Sequence, residues 1–544
     1  MDQSVMKYFD KNTWFWVLIA TLFFLPFLGG VHLFDWDEIN FAESAREMLL
    51  TGEWWRVTIN FEPFWEKPPL FFWLQALSMR LFGVTEFAAR LPNALCGIAT
   101  LKVLYEIGRQ WHGKRFAWLW VFLYAGSFLP HLYFKSAIID PWFNLFIFLA
   151  VYTIFYISEH AKKNQIKLGF IGGLLIGLAI LTKGPVGLLI LGLTFMVWLV
   201  HTHFKSVPSL KVIGVFGATA LVVSSVWFGF ETIQNGPWFI TEFVEYQINL
   251  FLNPVAGHQQ PFFYHFVVVL LGCFPLSALA LPAFSNRFNG DSFKLSMWMK
   301  YLFWVVLILF SLVTTKIVHY SSMAYLPLSY LATLAVIQSL EKNRIKNWVR
   351  LWILAQGAVI AFALILTPIL LSNMNLLTDR ITDPFVLGNL ASAVEPVGWE
   401  WIIGTMYFGV CLSSYFLLKT DPYRGLLILS IGTALTIFST MISIVPLIES
   451  VSQRSAITFF ENHADEESYK ATYGYKSYAP YFYGKVTPET ALKLPISKNS
   501  KLDKPAYVSV MIKRNDRFLE EFPSAEKLSE KGGYVFYRLP PTLP

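Results

Sequence analysis

Four stretches of this chain carry a lysine where a membrane protein normally avoids one. They are Glu66-Lys67-Pro68-Pro69, Lys135, Thr182-Lys183-Gly184-Pro185, and Thr315-Lys316 followed by His319-Tyr320. The distribution of basic loops puts all four outside the cytoplasm, in loops or at span ends. An acidic cluster, Asp35-Trp36-Asp37-Glu38, falls on the same side. Cations and carboxylates gathered at one membrane face suit a phosphate-bearing lipid, with acid/base chemistry beside it.

Each residue also has an ordinary role. Asp37 and Glu38 directly follow the first apolar run, where an acidic residue favours a helix N-terminus. Asp140, in Ile139-Asp140-Pro141, has the form of an N-cap with proline at the first helical position. A single lysine at a span end is most often a snorkelling anchor. As a set, Lys67, Lys183 and Lys316, with Tyr320 close to the last, read as contacts for a phosphate, because a lysine is a compact point charge. His258, in Gly257-His258-Gln259, stands near an apolar entrance. With Glu66 it offers two ligands towards a divalent metal, fewer than a protein metal site needs. The aromatic stretch from Tyr473 to Tyr483 can stack on sugar rings or form a β-rich core with tyrosines at its rim.

Composition sets the frame for these residues. Of 544 residues, 55% are hydrophobic, 17% aromatic and only 15% charged, and the mean hydropathy is +0.49. Apolar runs long enough to cross a hydrocarbon core of roughly 30 Å recur along the chain. The reading is an α-helical polytopic membrane protein, because helices satisfy their own backbone hydrogen bonds in lipid. The net charge of +7 reflects basic cytoplasmic loops and gives no reason to expect nucleic acid. Cys96, Cys273 and Cys411 fall in apolar segments and form neither a disulfide framework nor a metal motif. The first run follows Lys7 and Lys11 without a small-residue cleavage site, which predicts an uncleaved span.

Thirteen spans are expected, at about 14–31, 86–107, 116–133, 141–159, 168–182, 185–201, 212–230, 261–283, 298–314, 321–339, 350–372, 401–418 and 425–448. With the N-terminus inside, the cytoplasmic loops are short and basic, as at Arg109 to Arg115, His160 to Lys167 and Glu341 to Arg350. The long segments at 32–85, 231–260 and 373–400, and everything after about 449, fall outside. Three short helices are expected to lie in the outer interface: Glu38 to Leu50 ending at Thr51-Gly52, Leu70 to Phe82 opened by Pro68-Pro69, and Trp238 to Leu252. Phe41, Ala45, Met48 and Leu49 make the apolar face of the first, and Glu43, Arg46 and Glu47 its polar face. The chain divides into a membrane domain over residues 1–450 and a small extracytoplasmic α/β domain over 451–544, with strands at Tyr469–Tyr475, Ala506–Ile512 and Tyr534–Leu539.

The run from Asp37 to Met48, then Gly52-Glu53-Trp54 and Phe64 to Leu70, resembles the first outer loop of the ArnT-like glycosyltransferases. These stand beside the protein O-mannosyltransferases in the GT-C superfamily (families 83 and 39). Leu181 to Pro185, and Thr315-Lys316 with His319-Tyr320 and Pro327, are similar to further motifs of that family. The resemblance implies a GT-C fold with about 13 transmembrane helices. It implies an inverting glycosyltransferase that takes a sugar from a polyprenyl-phosphate carrier to an extracytoplasmic acceptor, with lipid A first and protein or another glycan second. It places Asp37 and Asp140, with Glu38 adjacent, in the catalytic centre and Lys67 on the carrier phosphate. Glu66 and His258 would approach a divalent metal. The implied location is a bacterial inner membrane, with the active site and C-terminus facing the periplasm. One departure is Asn40-Phe41, where the family often has Arg-Tyr, so one cationic phosphate contact is missing. A lipid-linked sugar transporter would instead place polar groups at mid-span and show related halves. A scaffolding protein leaves the outer lysines without a purpose.

Overall fold

The computed structural model describes residues 18, 21–159, 163–205, 207–253, 259–285, 291–342, 345–374, 378, 380–492, 495–497 and 500–542. Among these, nine helices are long and apolar enough to cross a membrane, and a tenth crossing forms if Tyr264–Gly272 and Leu276–Ser285, bent by 113°, count as one span. The expected spans at 116–133 and 185–201 are shorter helices, Lys114–Ala125 and Val186–His201. The first is interrupted at Gly126 and resumes as Phe128–Leu132. Of the expected 14–31 span, residues 14–17, 19 and 20 lie outside the described residues, and 21–24 are helical.

The three short outer helices form at Asp37–Thr51, Leu70–Phe82 and Trp238–Leu252. Gly52 stops the first in a left-handed conformation (φ 74°), which glycine adopts without steric cost. The first helix does not float with its polar face in water. Its buried residues run without a break from Glu38 to Met48. Phe41 meets Phe71 and Phe72 of the second helix edge-on, at 6.2 and 5.6 Å. The polar face lies under the C-terminal tail, where Arg46 pairs with Glu43 at 2.7 Å and donates to the carbonyls of Tyr481 and Val486.

The tail is a small α/β unit. Strands β3 (Tyr469–Tyr473), β4 (Ala506–Met511), β5 (Glu526–Lys531) and β6 (Tyr534–Leu539) form a sheet in the order β3-β4-β6-β5, after a two-stranded hairpin, β1 (Thr58–Ile59) and β2 (Glu62–Pro63), in the first loop. β3 and β4 run parallel, and the other pairs are antiparallel. β5 escapes a sequence reading because all six of its residues are exposed and carry no apolar alternation. One hydrophobic cluster is shared between loop and tail, with Ile39, Phe41, Phe71 and Phe72 from the loop and Ile457, Phe460, Phe482 and Phe536 from the tail.

Two local devices aim the helix ends. Asn93 donates to the carbonyls of Ser136 and Ile138, both at 2.6 Å, and so fixes the turn that delivers Asp140 to the start of the Asp140–Glu159 helix. Gly184 (φ 91°) ends Gln165–Lys183 one residue after Lys183. A Cβ there would come within 2.9 Å of the Phe243 ring on Trp238–Leu252. The Lys-Gly-Pro sequence is thus a helix stop, a close approach and a new helix start, and it leaves the lysine at the mouth of the bundle.

The Arg46 contact gives a test of how the tail is held. Arg46→Ala strands the fully buried Glu43 carboxylate, at a cost of about 3–5 kcal/mol. The solubilised protein should show a clearly lower Tm and faster tryptic release of the tail; a wild-type melting curve would mean that the tail is held by apolar contacts alone.

Candidate active site

A cavity of about 550 Å³ opens where the first loop, the helix ends and the tail meet. Asp37, the first residue of its helix, points into it. Its carboxylate lies 3.2 Å from His319 Nε2, and the same nitrogen is 3.7 Å from Asp140. Asp140 is buried and its other oxygen accepts from Lys183 Nζ at 2.7 Å. The Lys183 ammonium also sits 4.8 Å from the centroid of the Tyr320 ring. Four segments distant in sequence therefore converge on one chain of charges, Asp37–His319–Asp140–Lys183.

Burial alone would raise the Asp37 carboxyl. The hydrogen bond and charge of His319, with Lys67 and Lys183 nearby, outweigh it and hold Asp37 below its usual range. Its side chain keeps 35% exposure and lines the cavity. Lys67 stands beside the network. Burial pushes its ammonium down from the usual lysine value, against the attraction of Glu66. It lies 5.1 Å from the centroid of the Tyr246 ring, and among the described residues no carboxylate comes within ion-pair distance of it. Lys183 is committed to Asp140, whereas Lys67 keeps capacity for a new anion.

The remaining candidates separate. Glu38 touches the cavity wall, yet its carboxylate is saturated. It pairs with Arg90 through both oxygens, at 3.0 and 2.8 Å, and accepts from the N–H groups of Ala137 and Phe34. Its role is to fix the helix start, so the expectation of a catalytic Glu38 is corrected. Lys316 does not line the cavity; its ammonium bonds the carbonyl of Val313 at 2.7 Å. The cause is extended backbone at Ile317 (φ −124°, ψ 147°), where successive side chains alternate. Thr315 and Ile317 face the cavity and Lys316 faces away. The 3₁₀ turn Val318–Ala324 then delivers His319 and Tyr320. Lys135 also points elsewhere, to the carbonyls of Phe24 and Pro26 at 3.3 and 2.7 Å. Glu66 accepts from the Tyr246 hydroxyl, and His258 lies outside the described residues. Among the described residues no group of three metal-ligating side chains occurs, and no step below runs through a metal.

Sequence reasoning did not assign a role to His319. The Lys316-x-x-His319-Tyr320 motif was the available signal, but only the turn geometry shows which of its members face inward.

Residues 66–228 match the family of dolichyl-phosphate-mannose-protein mannosyltransferases. An undecaprenyl phosphate-alpha-4-amino-4-deoxy-L-arabinose arabinosyl transferase of Shewanella sediminis is 26% identical over 465 residues, 83% of this chain and 80% of that protein. The enzyme of that name from Edwardsiella ictaluri is 28% identical over 397 residues, 70% of each. The crystal structure of ArnT from Cupriavidus metallidurans bound to undecaprenyl phosphate superposes with a TM-score of 0.77 at 19% identity, over 97% of this chain and 98% of that one. The fold is that of ArnT, a GT-C fold. The match runs through the tail as well as the membrane bundle. In this ArnT-like chain the tail contributes Lys476 and Tyr478 to the cavity wall. Of the tail's other aromatic residues, Tyr475 is turned to Ser509 at 2.7 Å, and Phe482 and Tyr483 are buried in the shared core.

Neighbouring carboxylates thus separate into two classes. Asp37→Asn should abolish turnover with Tm unchanged, because the side chain faces the cavity. Glu38→Ala should lower Tm by leaving Arg90 buried and unpaired, about 3–5 kcal/mol, and should lose activity only with the fold. A stable, inactive Glu38→Ala protein would restore Glu38 to the catalytic set.

Proposed function

We propose that this protein is an inverting glycosyltransferase that moves 4-amino-4-deoxy-L-arabinose from a polyprenyl-phosphate carrier to lipid A. The reaction takes place at the periplasmic face of a bacterial inner membrane, with the C-terminus on the same side. The observation that carries the reading is Asp37, held ionised beside Lys67 in a cavity at the mouth of the bundle. The names of the similar enzymes, and the undecaprenyl phosphate bound to ArnT, support the carrier and the sugar.

The chemistry follows from the charges. The acceptor oxygen attacks the anomeric carbon on the face opposite the carrier. The bond from that carbon to the carrier phosphate oxygen breaks, and its electron pair leaves with the phosphate. Lys67 meets the charge that develops there, with Lys183 and Tyr320 behind it. Asp37 lies where it can orient the acceptor and stabilise positive charge at the anomeric carbon. A carboxylate held below its usual range is a weak proton acceptor. The site therefore suits a nucleophile that arrives ionised, as a lipid A phosphate does, better than a protein hydroxyl that must lose a proton.

The direct test is mass spectrometry of lipid A and of total glycoproteins from cells with and without the gene. The expected result is an aminoarabinose mass difference on lipid A only; a glycoprotein difference with lipid A unchanged would transfer the reading to protein O-glycosylation.

Lys67→Ala should cut the rate with the polyprenyl-phosphate donor by roughly 10²–10³, since a cation facing developing charge in a shielded site is worth several kcal/mol. Lys67→Arg should rescue in part and change the pH profile. A lysine with a depressed pKa is charged below that pKa and loses its proton as pH rises through it. Wild-type activity should therefore fall on the alkaline side earlier than that of Lys67→Arg, whose guanidinium stays charged. Equal alkaline limbs for the two, measured as initial rate against pH in nanodiscs, would remove Lys67 from the phosphate site.

The orientation is checked separately. Alkaline phosphatase fused after Leu539 should be active, and a fluorescent cytoplasmic reporter at that point should be dark; the reverse pattern would put the site in the cytoplasm.

A further inference from the structure

The cavity has cations on two of its walls. Lys67 and Lys183 stand on the wall made by the membrane bundle and first loop, where both act on Asp37. Lys476 comes from the tail, in the connection after β3. Its backbone carbonyl accepts the Trp36 indole N–H at 3.2 Å, so the tail is fastened to the first loop at this residue. The N–H of Tyr478 is held by both oxygens of Asp35 at 3.3 Å. The Lys476 ammonium is 5.2 Å from the centroid of the Trp36 ring and 5.3 Å from that of Tyr478. Two aromatic faces orient the charge without neutralising it. Among the described residues no carboxylate comes within ion-pair distance of it, and Asp35 is near enough to feel its charge. A cation aimed into a catalytic cavity and left available is arranged for an anion.

The reaction brings two anions together, the leaving carrier phosphate and an ionised acceptor. Lys67 serves the first. We infer that Lys476, with Tyr478 beside it, is the acceptor subsite, where its ammonium binds the phosphomonoester of the acceptor and so selects phosphorylated over hydroxyl acceptors. The inference rests on the glycosyltransferase reading and adds the acceptor's recognising group to it. The step balances without a base. An oxygen of the acceptor phosphate forms the new bond to the anomeric carbon as the carbon–oxygen bond to the carrier phosphate breaks. The bonding pair leaves on the carrier phosphate, and no proton has to move.

The test uses the full-length protein in nanodiscs, a polyprenyl-phosphate aminoarabinose donor, and lipid A with and without its phosphates. Lys476→Ala and Lys476→Gln should raise KM for phosphorylated lipid A about 10- to 100-fold, the loss of one charge-assisted contact, with donor KM unchanged. Lys476→Arg should restore most of the affinity, and wild-type protein should reject dephosphorylated lipid A. Because the ammonium is exposed, these variants should melt as wild type does. A rise in donor KM instead would mean that Lys476 serves the carrier phosphate and replaces the cation missing at Asn40. An unchanged acceptor KM, or ready use of dephosphorylated lipid A by wild type, would also overturn the subsite. If wild-type protein transfers no sugar from the carrier to any acceptor, the glycosyltransferase reading itself falls and the subsite falls with it.

Discussion

The constraint on which this structure depends is the burial of charge at the mouth of a helical bundle. Asp140 retains 3% exposure, and a carboxylate in that position is expensive unless it is paired and hydrogen-bonded. Its partners come from far along the chain: Lys183 from the end of one helix and His319 from a 3₁₀ turn, with Asp37 beyond it from the first loop. Asp140 and Lys183 satisfy each other only once their two helix ends meet, and His319 lies between Asp140 and Asp37. The local devices around them, the Asn93 clamp, the Gly184 stop and the Val318–Ala324 turn, are what bring the ends together.

The acidic cluster of the first loop shows the same constraint resolved three ways within four residues. Asp35 receives the backbone N–H of Tyr478 from the tail, and burial pushes its carboxyl up to about 6. Asp37 opens into the cavity. Glu38, about 100° further round the helix, turns inward to Arg90. Carboxylates of nearly identical sequence context thus end in a fastening contact, a cavity wall and a buried ion pair. The tail decides part of this outcome, since its backbone and Lys476 complete the surroundings of Asp35 and Trp36. It is a wall of the site as much as a separate lobe.

Much of the frame was legible in the sequence because it depends on local signals. The three short outer helices start and stop where proline, glycine and apolar spacing place them. Lys67, Lys183, Asp37 and Asp140 stood out by residue type on a side where lysines are scarce, and the structure brings all four to one cavity. What was not legible depended on partners distant in sequence. Lys316 looked equivalent to Lys183 until the extended backbone turned it to Val313. The polar face of Asp37–Thr51 looked solvated, and its true partner is a tail more than 400 residues on. His319 is an unremarkable histidine in sequence and acquires its meaning only between two carboxylates.

The cavity lining is close to electrical balance, with Asp37, Glu66 and Asp140 set against Lys67, Lys183 and Lys476. In the proposed reaction, a carrier phosphodiester brings one negative charge into this balance. When the sugar departs, the phosphate becomes a monoester with about one more. The site thus meets its largest anion only as the bond breaks, and a cation fixed in place gains most at that moment. Interactions that strengthen between ground state and transition state are the ones that raise kcat. The same arithmetic holds the spent carrier more tightly than the loaded one. In the proposed reaction, release of polyprenyl phosphate into the bilayer then opposes the attraction that drove the chemistry.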